Sequence, residues 1–213
     1  MKKEPANGSA SAELNVDTTN GKSDRSRRHI LDAAAQLFRD QGYAATTLRQ
    51  IAKKADMKAG SIYYHFGSKD EILSEVIELG QEAVFETAIQ GLEMLPDDAP
   101  FRLRIEKLIE GHLMALHQHG AYTSANIRVF GQLPEELKNR HRAPREAYGE
   151  YWEKMFRDAK EAGDIRSDLD VVALRSFVLG AINWTVEWYN PQAQPVDLLA
   201  KRVTRLLMDG IAT

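Results

Sequence analysis

The run Lys58-Ala-Gly-Ser-Ile-Tyr-Tyr-His-Phe66 holds the side chains of this sequence best suited to act on another molecule, and the chemistry is recognition rather than catalysis. At helical spacing Ile62 and Phe66 lie four apart and bury one face, which turns Gly60, Ser61, Tyr63, Tyr64 and His65 toward the other sides. Hydroxyls and an imidazole displayed this way can donate to phosphate oxygens or meet base edges. A glycine among them lets the helix approach a duplex closely. His112, His117 and His119 raise a second possibility, a metal site. His112 and His119 share a helix face but stand roughly 10 Å apart along the axis, too far for one ion, and His117 points elsewhere. The chain has no cysteine, and no carboxylate pair or nucleophile–base set can be assembled from it. An enzyme is therefore not expected, nor a cofactor.

Charge supports recognition of an anion. Between Lys22 and Asp70 ten cations face five anions, a balance of +5, which leaves −8 for the rest of a 213-residue chain whose total is −3. A small basic head on a larger acidic body confines phosphate attraction to one face. With 43% hydrophobic and 28% charged residues, most of the chain is expected to fold. The segment 1–22, rich in Ser, Asn, Gly and Ala, reads as a disordered tail and lacks the apolar run of a signal peptide. No stretch has the length of a membrane span, so no membrane contact and a cytoplasmic location are expected.

The elements that must position the Lys58–Phe66 run are all helical. The spacing predicts a first helix over 24–41, stopped by Gly42, and a second from Thr47, where Thr47-Leu-Arg-Gln50 forms a capping box. Asp56 and Met57 make a short turn before the third helix, 58–66. Ser68-Lys-Asp-Glu71 opens a long fourth helix that Pro96 ends. Further helices are predicted over 100–119, 122–130, 134–162 with a break or kink at Pro144, 170–189 and 195–209. The fold class is all-α: a three-helix helix-turn-helix domain over 23–70 and a larger helical domain over 71–213.

Arg28-His-Ile-Leu-Asp-Ala-Ala-Ala-Gln-Leu-Phe38, Gln41-Gly-Tyr43, Thr46-Thr-Leu-Arg-Gln-Ile-Ala52, Gly60-Ser-Ile-Tyr-Tyr-His-Phe66 and Ser68-Lys-Asp-Glu-Ile-Leu73 resemble, in order and spacing, the DNA-binding region of the TetR family of bacterial repressors. The resemblance covers about a quarter of the chain. It implies that Thr47 and Arg49 contact phosphates or a base edge and that Gly60, Ser61, Tyr63, Tyr64 and His65 enter the major groove. It further implies that Lys69 holds the backbone, and that Arg25, Arg27 and Arg28 add phosphate or minor-groove contacts. Two positions depart from the pattern: Asp56 stands where the turn usually has Gly, and Lys58 where a Ser usually caps the third helix. Asp tolerates a left-handed turn better than most residues, and Lys58 trades roughly 1 kcal/mol of capping for a phosphate contact.

The resemblance also implies that 71–213 is the ligand-binding and dimerisation domain, with a homodimer on double-stranded, palindromic operator DNA, paired through the last two helices, and release by a small hydrophobic effector. Tyr148, Trp152, Asn183, Trp184 and Trp188 combine aromatic walls with polar groups, as pockets do. The stretch Leu179-Gly-Ala-Ile-Asn-Trp-Thr-Val-Glu-Trp-Tyr-Asn-Pro191 resembles TetR-type regulators of fatty-acid and steroid catabolism, which implies an acyl-CoA effector. Arg128, with Arg140, Arg142, Arg145 and Arg175, would meet its phosphates. The competing reading is a helical adaptor that binds only protein, for which the basic head would be incidental.

Overall fold

The computed structural model describes residues 18–211, and among them there is no strand. Most of the expected 1–22 tail lies outside the described residues. Ten helices are described: α1 (Thr18–Ala45), α2 (Leu48–Lys54), α3 (Ala59–His65), α4 (Lys69–Glu93), α5 (Phe101–Gln118), α6 (Gly120–Val129), α7 (Glu135–Ala162), α8 (Val171–Asn183), α9 (Thr185–Trp188) and α10 (Val196–Ile211). None of them is long and apolar enough to cross a membrane.

Local chemistry sets most of the boundaries. Gly42 takes φ 80° and interrupts α1, so only a short turn continues to Ala45. Thr47 caps α2 through a reciprocal box: its hydroxyl accepts from Gln50 N at 3.3 Å, and Gln50 Oε1 accepts from Thr47 N at 2.8 Å. At α4 the reciprocity is displaced by one residue. Ser68 Oγ accepts from Glu71 N at 3.1 Å, while Glu71 Oε2 accepts from the N–H of Gly67 at 2.7 Å. Asp170 caps α8 by accepting from the amides of Val172 and Ala173 at 2.8 and 3.0 Å.

Two helices differ from the spacing. α7 runs unbroken from Glu135 to Ala162 with Pro144 inside it, because Pro144 and Arg140, whose carbonyl loses its partner, both lie exposed to water. The expected helix over 170–189 divides at Trp184 into α8 and α9. The buried Thr185 hydroxyl there donates to Ile182 O at 2.6 Å, competing with the backbone ladder.

Two buried clusters result. The first joins Ile30, Ala34 and Phe38 of α1, Ile51 and Ala52 of α2, Ile62 of α3 and Phe66 with Ile72, Leu73, Val76 and Ile77 of α4 and Ala125 and Val129 of α6. The second surrounds α5, whose Ile105, Leu108, Ile109 and Leu113 are fully buried among α4, α7, α8 and α10. Glycines allow the closest approaches. A Cβ on Gly111 of α5 would stand 2.6 Å from Thr87 O and 2.7 Å from Ala88 Cα of α4. A Cβ on Gly80 of α4 would stand 2.9 Å from Tyr122 O of α6.

One surface is left unpacked. Phe177 and Trp184 on α8 and its C-cap, Trp188 on α9 and Leu206 on α10 are 73, 65, 57 and 77% exposed. Residues 177, 181, 184 and 188 follow helical spacing, with Gly180 and Ala181 also exposed, so they form one apolar stripe.

Because the groups facing Gly111 are backbone and cannot turn aside, Gly111→Ala is expected to cost roughly 1–3 kcal/mol or more through overpacking. Thermal unfolding followed by circular dichroism should show a melting temperature several degrees below wild type, whereas an unchanged value would mean that α4 and α5 separate freely.

Candidate DNA-binding head and ligand cavity

The α2–turn–α3 unit is built by its own sequence. Ile51, Ala52 and Ile62 face the core, and Ala55 ends α2. Asp56 then adopts φ 55°, the left-handed conformation for which the turn usually has Gly. Lys58 stands at the N-cap of α3 with no side-chain capping hydrogen bond, so its ammonium is left exposed. Arg49, Lys53 and Lys58 line a shallow hollow between α2 and α3 together with Asp56.

The outer face of α3 is open. Tyr63 and Tyr64 are exposed, Gly60 has nothing within 4 Å of where a Cβ would be, and Ser61 and His65 are half-buried. Tyr64 meets the His65 ring edge-on at 5.0 Å between centroids. Thr47 and Arg49 are exposed beside this face, as are Arg25 and Arg28 on α1.

Two cations from the expected contact set are held inward. Lys69 Nζ donates to Tyr43 O and Thr46 O, both at 2.8 Å, and lies 4.0 Å above the Tyr43 ring. Arg27 forms an ion pair with Glu75, donates to His65 O at 2.9 Å and lies 4.2 Å over Phe66. These two side chains tie α1, α3 and α4 together, and each keeps N–H donors that these bonds do not use.

In the body, α4 to α8 enclose a cavity of about 500 Å³. Val84, Leu116, Ile127, Phe130 and Leu179 give it apolar walls, and Lys138, Arg142, Arg145 and Arg175 line it with cations against the carboxylate of Glu146. Its polar end is a chain of three groups. His112 Nε2 lies 3.0 Å from Asn183 Oδ1, an acceptor, so this nitrogen carries the hydrogen. His112 Nδ1 therefore accepts from the Tyr148 hydroxyl at 2.9 Å. Burial pushes the imidazole pKa down to about 4, outweighing the opposing hydrogen bond to Asn183, so His112 is neutral at pH 7. Burial pushes Tyr148 up, and its hydroxyl stays protonated as a donor.

Of the residues expected to bind a ligand, Tyr148 and Asn183 line the cavity and Trp152 lies buried edge-on to both Tyr148 and His112, behind the lining. Trp184 and Trp188 are not brought there; they lie on the exposed stripe. Arg128 also lies elsewhere, bound to Glu187 at 3.0 Å and donating to Arg39 O at 3.1 Å. Arg142, Arg145 and Arg175 do line the cavity, whereas Arg140 does not. Sequence reasoning missed Lys138, Gln81 and Asn126 as lining groups and missed the role of His112, whose partner Asn183 is 71 positions away. No group of three His, Cys, Asp or Glu side chains among the described residues could hold a metal ion.

Residues 30–76 match the family described as "Bacterial regulatory proteins, tetR family", and residues 98–211 match the "Tetracyclin repressor-like, C-terminal domain". The chain is 30% identical over 204 residues to the HTH-type transcriptional repressor KstR2 of Rhodococcus jostii, covering 93% of this chain and 96% of that one. It is 27% identical to the fatty acid metabolism regulator protein of Bacillus subtilis, covering 85% and 93%. Among solved structures, the TetR family regulator PfmR of Thermus thermophilus superposes with a TM-score of 0.72 at 25% identity, covering 84% and 97%. The ketosteroid transcriptional regulator KstR2 of Mycobacterium tuberculosis superposes with a TM-score of 0.77 at 24% identity, covering 88% and 95%.

The neutral, buried His112 makes stability depend on pH. Below its ordinary value of 6.5 the unfolded chain takes up a proton that the folded chain refuses until about pH 4. This contribution is therefore complete above pH 6.5 and is lost as the pH falls toward 4, by about 3 kcal/mol. In urea unfolding at a series of pH values, wild type should lose that much more stability across the window than His112→Gln; parallel curves would contradict a neutral buried imidazole.

Proposed function

Because the chain belongs to the TetR family of bacterial regulatory proteins, we propose that it is a transcriptional repressor that binds a palindromic operator as a homodimer and leaves it when a small hydrophobic effector enters the body. Its relatives are transcriptional regulators and not enzymes. Such a protein works where the DNA is, and we place it in the cytoplasm. The observation that carries the reading is the outer face of α3: two exposed tyrosines beside a bare glycine, on a basic head, with nothing packed over them. Such a face fits the major groove, with Tyr63, Tyr64, Gly60 and Ser61 at base edges or phosphates, and Thr47, Arg49, Lys58, Arg25 and Arg28 at the flanking backbone. His65 joins them from the rim of that face. Lys69 and Arg27 then act on DNA indirectly, by fixing the height of α3 against α1 and α4.

For the effector we propose an amphipathic organic molecule of the acyl-CoA class. The cavity supports this by joining apolar walls to a cationic lining, and relatives bear names from fatty-acid and ketosteroid regulation. A body of the acyl kind fits about 500 Å³, within the usual range of ligand pockets, while a bulky head group would remain at the opening.

The DNA half is tested with a duplex selected by the protein from a random-sequence pool. Tyr64→Ala should bind it at least about tenfold more weakly by fluorescence anisotropy while melting within a degree or two of wild type. Wild-type affinity in this variant would mean that α3 does not face the DNA. Lys69→Ala is a poorer probe, since it also strips two carbonyls of their donor.

The dimer is assigned to the α8–α9 and α10 stripe. Val203 and Leu207 pack against the protomer's own core, so Phe177 and Leu206 are the side chains that a partner would cover. Phe177→Glu and Leu206→Glu should each sediment as monomers at concentrations where wild type is dimeric; dimers in both variants would move the interface elsewhere.

A further inference from the structure

Two residues that line the cavity carry a buried oxygen with no hydrogen-bond partner among the described residues. Asn126 of α6 is 7% exposed and its Oδ1 is buried with no hydrogen-bond partner. Gln81 of α4 is oriented by its nitrogen, which donates to His141 O at 3.4 Å, and this leaves its Oε1 buried and unpartnered as well. Both residues line the cavity. A buried, unpaired amide oxygen costs the folded chain free energy, and side chains of similar size without that cost, such as Leu or Met, would fill the same places.

The cations of the same cavity are unequal. Lys138 and Arg142 lie 3.7 and 3.0 Å from Glu135, and Arg175 lies 2.8 Å from Glu153. Arg145 has no carboxylate partner among the described residues; its guanidinium is stacked 4.5 Å over the ring of Phe130. Asn126 and Arg145 both line the cavity.

We infer that the effector carries a hydrogen-bond donor, a hydroxyl or an amide N–H, set against its apolar body, together with an anionic group. Asn126 and Gln81 accept from the donor, and Arg145 takes the anion. This rests on the reading of the cavity as the effector site and deepens it, because it separates effectors that the apolar walls alone would treat alike. A plain saturated carboxylate fills the walls and meets Arg145 but leaves both acceptors dry and unpaired. A hydroxylated or amide-bearing acid brings one donor hydrogen and satisfies one of them, while an acyl-CoA, whose arm carries two amide N–H groups and whose anion is phosphate, can satisfy both. A site built to pair with a donor discriminates sharply against the analogue that lacks it.

The test has two arms. In the first, calorimetric titrations compare decanoate, which has no donor, with 3-hydroxydecanoate, N-decanoylglycine and decanoyl-CoA. Wild type should bind at least one donor-bearing probe tenfold or more tightly than decanoate, and the leading probe identifies carboxylate or phosphate as the anion. In Asn126→Leu that gap should shrink to less than about threefold, and Gln81→Met should narrow it in the same direction. Decanoate binding as tightly as all three counterparts, or a gap untouched by both substitutions, overturns the inference. In the second arm the ligand-free variants are melted. Asn126→Leu should melt at or above the wild-type temperature, since it removes an unsatisfied acceptor, whereas Gln81→Met also gives up the bond to His141 O; a fall of several degrees in Asn126→Leu makes its acceptor part of the fold and overturns the inference too. If none of the four probes binds while the selected duplex does, the acyl-type effector is what fails, and the melting arm alone decides the role of the acceptors.

Discussion

The head of this protein shares its core with the body, and that constraint governs the rest of the structure. α1, α2 and α3 bury their apolar faces against Ile72, Leu73, Val76 and Ile77 of α4 and against Ala125 and Val129 of α6. Gln81 and Val84, further along α4, and Thr123, Asn126 and Ile127, in the same turns of α6, are walls of the cavity. Gly80 lets α4 and α6 meet with almost no gap, since even a methyl group there would reach Tyr122 O. Tyr122 in turn donates to Asp32 of α1 at 2.6 Å, and Arg128 reaches the carbonyl of Arg39 near the end of α1. Close-packed interiors transmit displacement instead of absorbing it. A molecule that shifts α6 from the cavity side therefore loads the contacts that hold α1, and with it the angle at which α3 is presented. Such a link has regulatory content only where the effector prefers one arrangement of those contacts over the other.

Local signals made most of the fold legible in the sequence. Thr47 with Gln50, Ser68 with Glu71, Gly42 and the helical spacing of Ile30, Ala34 and Phe38 each act within a few residues, and the helices they announce are present. Asp56 was readable as a left-handed turn for the same reason. Pro144 and Trp184 were misread because their outcome depends on surroundings. Pro144 sits on the exposed side of α7, where water replaces the lost hydrogen bond, and the break at Trp184 goes with the hydroxyl of the buried Thr185 turned onto Ile182 O.

The site was legible to the extent that exposure follows from one helix. The outer face of α3 could be drawn from Ile62 and Phe66 alone. That Lys69 and Arg27 also hold the fold could not be read, since the carbonyls of Tyr43 and Thr46 and the carboxylate of Glu75 reach them from distant positions. The cavity suffered most. Trp184 and Trp188 suggested a pocket by composition but lie on the outer stripe, while the polar end depends on His112, Tyr148 and Asn183 converging from three helices. An unpaired acceptor such as Asn126 Oδ1 has no sequence signature at all, because being unpaired is a property of the neighbours.

The central claim is that a basic head grips the phosphates of a duplex, and the salt dependence of binding tests it most directly. Affinity of the full-length protein for its selected duplex is measured across a range of salt concentrations. Each phosphate neutralised contributes about −0.9 to the slope of log K against log salt, so a dimer using Arg25, Arg28, Arg49 and Lys58 on each half-site should give a slope several units below zero. A slope near zero would contradict the account, since contact with the duplex would then release no counterions.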